Sequence, residues 1–230
     1  MKILSSLYKT VAIFGANGRT GREATYYSLL GGYNTVAFAR NYENFAPPDR
    51  TQEFQPKMVW SKSTRHLHSF YGDVNDEEDV EEFMKLYNPD AAIIALGGEE
   101  VDSATANIIK YAPKKCKLVA VTSIGVGDSK NYPPFFFKIL KSSVLKKMFD
   151  AKVNQEELLE NSMLKYTIVR PSGLTNENPV SKNELCIITN TNYENKSRTH
   201  TIPRSNVAMC ALDNCFDPSS NKQIINIEQV

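Results

Sequence analysis

The sequence is poor in the features that mark most specialised protein classes. Its 230 residues hold one Trp, three His and four Cys. Cys116, Cys186, Cys210 and Cys215 form no C-x-x-C pair, and their spacing fits no zinc pattern. They read as free thiols of a reducing compartment. His66 and His68 stand near no thiol or carboxylate cluster, so they read as a packed or solvated pair, and no metal is expected. No apolar run approaches the ~18 residues of a membrane-spanning helix, so no membrane partner is expected. Neither sign of charge dominates: 27 Lys+Arg face 26 Asp+Glu. Nucleic-acid binders usually carry a strong basic excess, so that partner class is set aside. The N-terminal MKILSSLYKTVAIFG has a broken apolar stretch that leads straight into a glycine loop. It reads as a core strand and not as a signal peptide, which points to a cytoplasmic protein. The sequon Asn195-Lys196-Ser197 is discounted on the same ground.

What is present is an alternation of short β-rich runs with longer helical patterns. Strands are predicted at 11–14, 35–39, 68–71, 91–96, 117–122 and 166–170. Helices are predicted at 20–30, 76–87, 101–111 and 138–161, the last with a break near Asp150. The 76–87 helix has an acidic first turn, which suits the positive end of its dipole. Repeated βαβ units with right-handed crossovers give an α/β fold: a Rossmann-type, doubly wound parallel sheet. The length suits a single domain over 1–230. Residues 172–230 mix short strands (186–189, 223–227) with one helix near 206–216. They read as a small C-terminal cap that covers a substrate. Residues 41–65, with Trp60 and three prolines, read as a long loop or insertion. The aromatic run at 135–137, after Tyr132, reads as core packing before a wall for a planar ligand. Lys138, Lys141, Lys146 and Lys147 read as a solvated helix face.

The sharpest signal is Gly15-Ala16-Asn17-Gly18-Arg19-Thr20-Gly21, between a predicted strand and a predicted helix. Glycines let backbone come close to a diphosphate, and the helix N-terminus offers it unpaired N–H groups. At the end of the second strand, NAD-binding proteins place an acid for the ribose hydroxyls. Here Arg40 stands in that place. A guanidinium grips a 2′-phosphate and has no acceptor for a hydroxyl, so NADP is expected in preference to NAD. Arg19 adds a second positive charge. Asp73 and Val74, at the third strand's end, are candidates to hold adenine. Asp73 also fits a cap or turn residue. Leu96 and Gly97 end the fourth strand, where backbone passes close to the cofactor.

GANGRTG at 15–21, Arg40, GDV at 72–74, ALGG at 95–98, VAVTSIG at 119–125 and YTIVRPSGL at 166–174 occur in an order that resembles a known group. The chain is similar to atypical short-chain dehydrogenase/reductases, specifically NmrA-like proteins and biliverdin-IXβ/flavin reductases. The resemblance covers nearly the whole chain. It implies NADP bound across the strand C-termini, with Thr122 and Ser123 beside the nicotinamide and Pro171 on its far side. Lys152 takes the place of the Lys in the superfamily's Tyr-x-x-x-Lys pair, where Lys lowers the Tyr pKa and holds ribose. The Tyr position is Met148, which transfers no proton. Glu156 is expected to pair with Lys152 at i,i+4. Flavin reductases of the group have a histidine in the RPSG segment, where this chain has Gly173.

No general acid is therefore evident. Ketone reduction needs a positioned donor for the developing oxyanion. Reduction of a flavin, quinone or tetrapyrrole needs mainly an acceptor stacked on the nicotinamide, with a proton from water or from Ser123. The expected function is an NADP-dependent reductase of a planar small-molecule acceptor, with Ser123 and Lys152 at the reacting ring. The alternative is a non-catalytic NADP sensor that regulates a partner, a role known for some NmrA-like proteins.

Overall fold

The apolar runs fold as strands buried on both faces, and the periodic stretches between them fold as helices that cover the sheet. The computed structural model describes residues 9–41, 66–131, 145–189 and 200–230. Most of the 41–65 loop with Trp60, the aromatics at 132–137, and Lys138 and Lys141 lie outside the described residues.

The chain runs β1 (Thr10–Phe14), α1 (Arg19–Leu30), β2 (Asn34–Ala39), β3 (Leu67–Tyr71), α2 (Glu77–Tyr87), β4 (Ala91–Ile94), α3 (Val101–Tyr111) and β5 (Lys117–Val121). It continues through α4 (Lys146–Glu160), β6 (Lys165–Pro171), β7 (Gly173–Thr175), β8 (Leu185–Thr189), β9 (Thr201–Pro203), α5 (Arg204–Cys215) and β10 (Gln223–Gln229). Eight strands form one sheet in the order β3-β2-β1-β4-β5-β6-β10-β8. Neighbours are parallel except β8, which runs antiparallel to β10.

Alternate side chains of each strand feed two separate cores, as the two-residue period requires. Val11 and Ile13 of β1 join a cluster with α1 and α5, including Ala24, Tyr26, Val207 and Ala211. Ala12 and Phe14 join the opposite cluster with Val80, Phe83, Ile108 and Leu159, from α2, α3 and α4. Phe14, Phe38 and Phe83 pack there with ring centroids 5.1–5.2 Å apart. The result is a three-layer doubly wound architecture.

Helix ends follow local chemistry. Asp76 caps α2 by accepting the Glu78 amide at 2.9 Å, with Glu77, Glu78 and Asp79 in the first turn. Asn88 ends it in the left-handed conformation. The break expected near Asp150 is absent: α4 runs through it, and Lys146 pairs with Asp150 one turn on, at 2.5 Å. Residues 172–230 divide their roles. The short β7–β9 ladder stands apart from the main sheet, while β8, β10 and α5 complete the sheet and its helical layer.

Strand order reverses between β1 and β4. The chain winds outward from that point on both sides, so the loops that leave the strand C-termini diverge and open a crevice there.

Candidate active site

The loop after β1 is built around contacts that only glycine allows. Gly15 has φ +82°, and a Cβ there would come 2.6 Å from the Ala95 carbonyl oxygen. A Cβ on Gly21 would come 2.0 Å from the Gly15 carbonyl oxygen. The first turn of α1 is thus pressed onto the loop. The Gly18 amide donates to Gly15 O at 2.8 Å, and the Arg22 amide to Gly18 O at 2.9 Å. Asn17 Nδ2 donates to the Asn41 carbonyl, which ties the loop to the end of β2. Asn17 Oδ1 is buried with no partner among the described residues. A glycine cradle, a helix N-terminus without a side-chain cap and an orphaned polar atom fit a dinucleotide diphosphate.

A cavity of about 750 Å³ opens beside this loop. It brings together Gly18, Arg19, Thr20, Leu96, Gly97, Thr122, Ser123, Lys152 and Pro171, from five separate segments. Met148, Phe149, Leu145, Ile124 and Leu174 give the rest of its wall an apolar character. Among the described residues no carboxylate lines it. Arg204 lines it as well, anchored by Nη1 to the Leu174 carbonyl (3.2 Å) and Asn176 Oδ1 (2.7 Å). Burial lowers the Arg204 pKa, and the nearby Arg19 charge lowers it further.

Arg40, Asp73 and Val74 are not part of this cavity wall. Arg40 is exposed just past β2. Asp73 Oδ1 accepts the Asn75 amide at 3.0 Å, a turn-stabilising bond, and its own amide donates to Asp79 Oδ2 at 2.7 Å. Val74 is buried in the core with Val80 and Phe83. These three residues cluster at the ends of β2 and β3, where the Gly72 amide donates to Ala39 O at 3.1 Å.

The reacting end of the cavity rests on a buried network absent from the sequence-based expectation. Glu156 does not form the expected hydrogen-bonded pair with Lys152. Its Oε1 accepts Thr122 Oγ1 at 2.6 Å and Arg170 Nε at 3.0 Å, and its Oε2 accepts Arg170 Nη2 at 2.6 Å. Arg170 Nη1 also bonds Asp128. Glu156 and Arg170 are 3% and 2% exposed, so neither charge can turn to water instead. Burial alone would lower the Arg170 pKa, but its bonds to Glu156 and Asp128 outweigh that and hold it above its ordinary value. Gly127, at φ +55°, leaves room for the guanidinium: a Cβ there would lie 2.6 Å from Arg170 Nη2.

Lys152 turns instead to the Val121 carbonyl, which its Nζ meets at 3.3 Å. Burial pulls its pKa down to about 8, opposed by the Glu156 charge. Ser123 Oγ donates to the Ile124 carbonyl at 2.9 Å. Thr122 presents its flank, since its hydroxyl is taken by Glu156.

The three described thiols are buried. Burial pushes Cys116 and Cys210 up to about 12 and raises Cys215 as well. Among the described residues no group of three or more His, Cys, Asp or Glu is placed to hold a metal, and no helix is long and apolar enough to cross a membrane.

Fold and site together define a nicotinamide dinucleotide-binding Rossmann protein. The chain belongs to the NAD(P)H-binding family, whose model matches residues 15–218. A comparison with curated proteins by sequence finds no match. Among solved structures, ChuY, an anaerobilin reductase from Escherichia coli O157:H7, superposes with a TM-score of 0.75 at 22% identity, over 96% of this chain and 97% of that one. A short-chain dehydrogenase/reductase from Veillonella parvula in complex with NADP gives 0.74 at 18% identity, over 96% and 95%. The oxidoreductase YlbE from Lactococcus lactis gives 0.71 at 19% identity, over 96% and 91%. The NAD(P)-binding Rossmann fold expected from the motifs therefore stands.

Proposed function

We propose that the protein is a cytoplasmic, NADP(H)-dependent reductase of a planar small-molecule acceptor such as a flavin, quinone or tetrapyrrole. The observation that carries this reading is the cavity itself. One wall is the phosphate loop, the other is apolar, and Ser123 and Lys152 meet between them. When bound, the dinucleotide supplies a hydride. The chain's own residues hold and orient. Gly15, Gly18 and Gly21 shape the cradle, with Asn17 and Thr20 at the diphosphate. Arg19 and Arg40 bind the 2′-phosphate, and Asp73 and Val74 lie on the adenine side. Leu96, Gly97, Thr122 and Pro171 flank the nicotinamide, and Lys152 holds its ribose. The apolar wall seats the acceptor and excludes water, so positioning carries most of the rate. A reductase and an NADP complex among the fold neighbours agree with this reading.

Steady-state oxidation of NADPH and NADH at 340 nm, with FMN, FAD, biliverdin and quinones, tests it. NADPH consumption with at least one acceptor supports it, and none with any acceptor sinks it. Arg40→Ser is expected to cut the preference for NADPH over NADH by about tenfold or more, the worth of a charge-assisted phosphate contact. An unchanged preference would remove Arg40 from the site.

Lys152 predicts the pH dependence. Its depressed pKa means that the cation is present below about pH 8 and lost above it. If the ammonium holds the ribose, kcat/KM for NADPH falls as pH rises through that value, and Lys152→Met flattens that limb. The same limb in the variant would assign it to another group.

Met148 on the cavity wall favours a second reading, a dinucleotide sensor, because a thioether transfers no proton. Tight NADP⁺ binding without turnover, with a partner protein retained only in the presence of the cofactor, would select that reading.

A further inference from the structure

We infer that His200 is the proton donor of the reductase reaction proposed above: the residue lines the cavity together with Ser123, Lys152 and Gly173, and the buried Glu228 carboxylate approaches its Nδ1. The inference rests on the reductase reading and supplies the acid that the motifs lack.

Position comes first. The Gly173 amide donates to the His200 carbonyl at 2.9 Å, and Gly173 pairs with Thr201 in the β7–β9 ladder. His200 thus sits beside Gly173, the position that has no side chain to offer. Its backbone has φ +56°, a left-handed conformation uncommon for a residue with a Cβ. Such conformations persist where surrounding structure enforces them, and they gather at functional sites.

Orientation comes second. Glu228 lies on β10, next to Ile227, which pairs with Pro171 of the cavity wall. Its side chain is 2% exposed, and Oε2 lies 3.6 Å from His200 Nδ1. The carboxylate stands on the Nδ1 side of the ring, so Nε2 is the nitrogen left for an acceptor. The imidazole is 48% exposed, so solvent can return a proton to it. Among the described residues, Glu228 from β10 approaches it, and Lys152 from α4, Arg204 from α5 and Arg19 from α1 share the cavity wall with it.

Among the described residues of the cavity wall, Ser172 Oγ is buried without a partner, and other hydroxyl and amine donors bond within the chain. Ser123 donates to the Ile124 carbonyl, Lys152 to the Val121 carbonyl and Thr122 to Glu156. In the step itself the acceptor gains a hydride from NADPH, which leaves NADP⁺. The Nε2–H bond of the His200 imidazolium breaks, and its proton bonds a heteroatom of the acceptor. The acceptor is thus reduced by two electrons and two hydrogens, and neutral His200 is reprotonated by water.

His200→Gly tests this without a folding penalty from the backbone, because glycine accepts φ +56°. NADPH oxidation with FMN, biliverdin and a quinone is expected to fall on the order of 100-fold. Added imidazole should restore part of the rate, and NADP⁺ affinity should be unchanged. A wild-type rate in the variant overturns the assignment, as does a reduced rate that imidazole does not rescue. No turnover by the wild-type protein overturns the reductase reading and this inference with it. A second readout needs no turnover. Carbethoxylation by diethyl pyrocarbonate, mapped by mass spectrometry, should be slowed at His200 by NADP⁺ plus FMN and not at His66 or His68, beside or on edge strand β3. Equal labelling of His200 with and without those ligands would place it away from the acceptor.

Discussion

Gly21→Ala is expected to weaken NADP⁺ binding by at least ~100-fold, roughly 3 kcal/mol. The added methyl would stand 2.0 Å from the Gly15 carbonyl oxygen, inside any allowed contact. That oxygen belongs to backbone, so no side chain can swing away. Either α1 slides outward or the loop opens, and both move the first-turn amides of α1 that the diphosphate would meet. The loss should exceed what any fall in stability explains, since the clash lies within the cradle itself. Equilibrium titration with NADP⁺, alongside a thermal melt, separates the two. An affinity within threefold of wild type would mean that the diphosphate does not lie on this loop.

Glu156→Ala is expected to be the most damaging single substitution for stability. It leaves the Arg170 guanidinium, 2% exposed in the middle of the fold, with Asp128 as its remaining carboxylate partner. Breaking a buried pair from one side typically costs ~3–5 kcal/mol. For a chain of this length that is a fall of about 10 °C in Tm. Thr122 loses the acceptor for its hydroxyl at the same time, so turnover should fall beyond what the lost stability explains. Replacing both partners, Glu156→Leu with Arg170→Met, removes the buried charge with its counter-charge and should cost less than Glu156→Ala alone. A double variant less stable than the single one would show that the pair contributes more than mutual neutralisation.

The parts of this architecture that were legible in the sequence are those governed by local chemistry. Gly15 to Gly21 sits between β1 and α1 because a βα turn onto a diphosphate needs backbone without Cβ at fixed offsets. Asp76 and the acids after it announce α2 through the orphaned amides of its first turn. What escaped was decided by burial across elements. Helix periodicity paired Glu156 with Lys152, yet the buried guanidinium of Arg170 on the next strand takes both of its carboxylate oxygens. The signal was present in Tyr166-Thr167-Ile168-Val169-Arg170: a charge inside an apolar strand demands a partner. His200 gave no such signal. Its place in the cavity depends on the β7–β9 ladder, two three-residue strands that no pattern announces. Arg40, Asp73 and Val74 stand at the ends of β2 and β3, outside the lining of this cavity, and the pattern of strand ends alone did not show that separation.

The most direct test of the central claim is a single turnover. Protein loaded with one equivalent of NADPH is mixed anaerobically with FMN, biliverdin or a quinone, and the absorbance at 340 nm is followed. The account predicts loss of the NADPH signal, mole for mole with reduction of at least one acceptor. A bound NADPH signal that stays constant with every acceptor would contradict it.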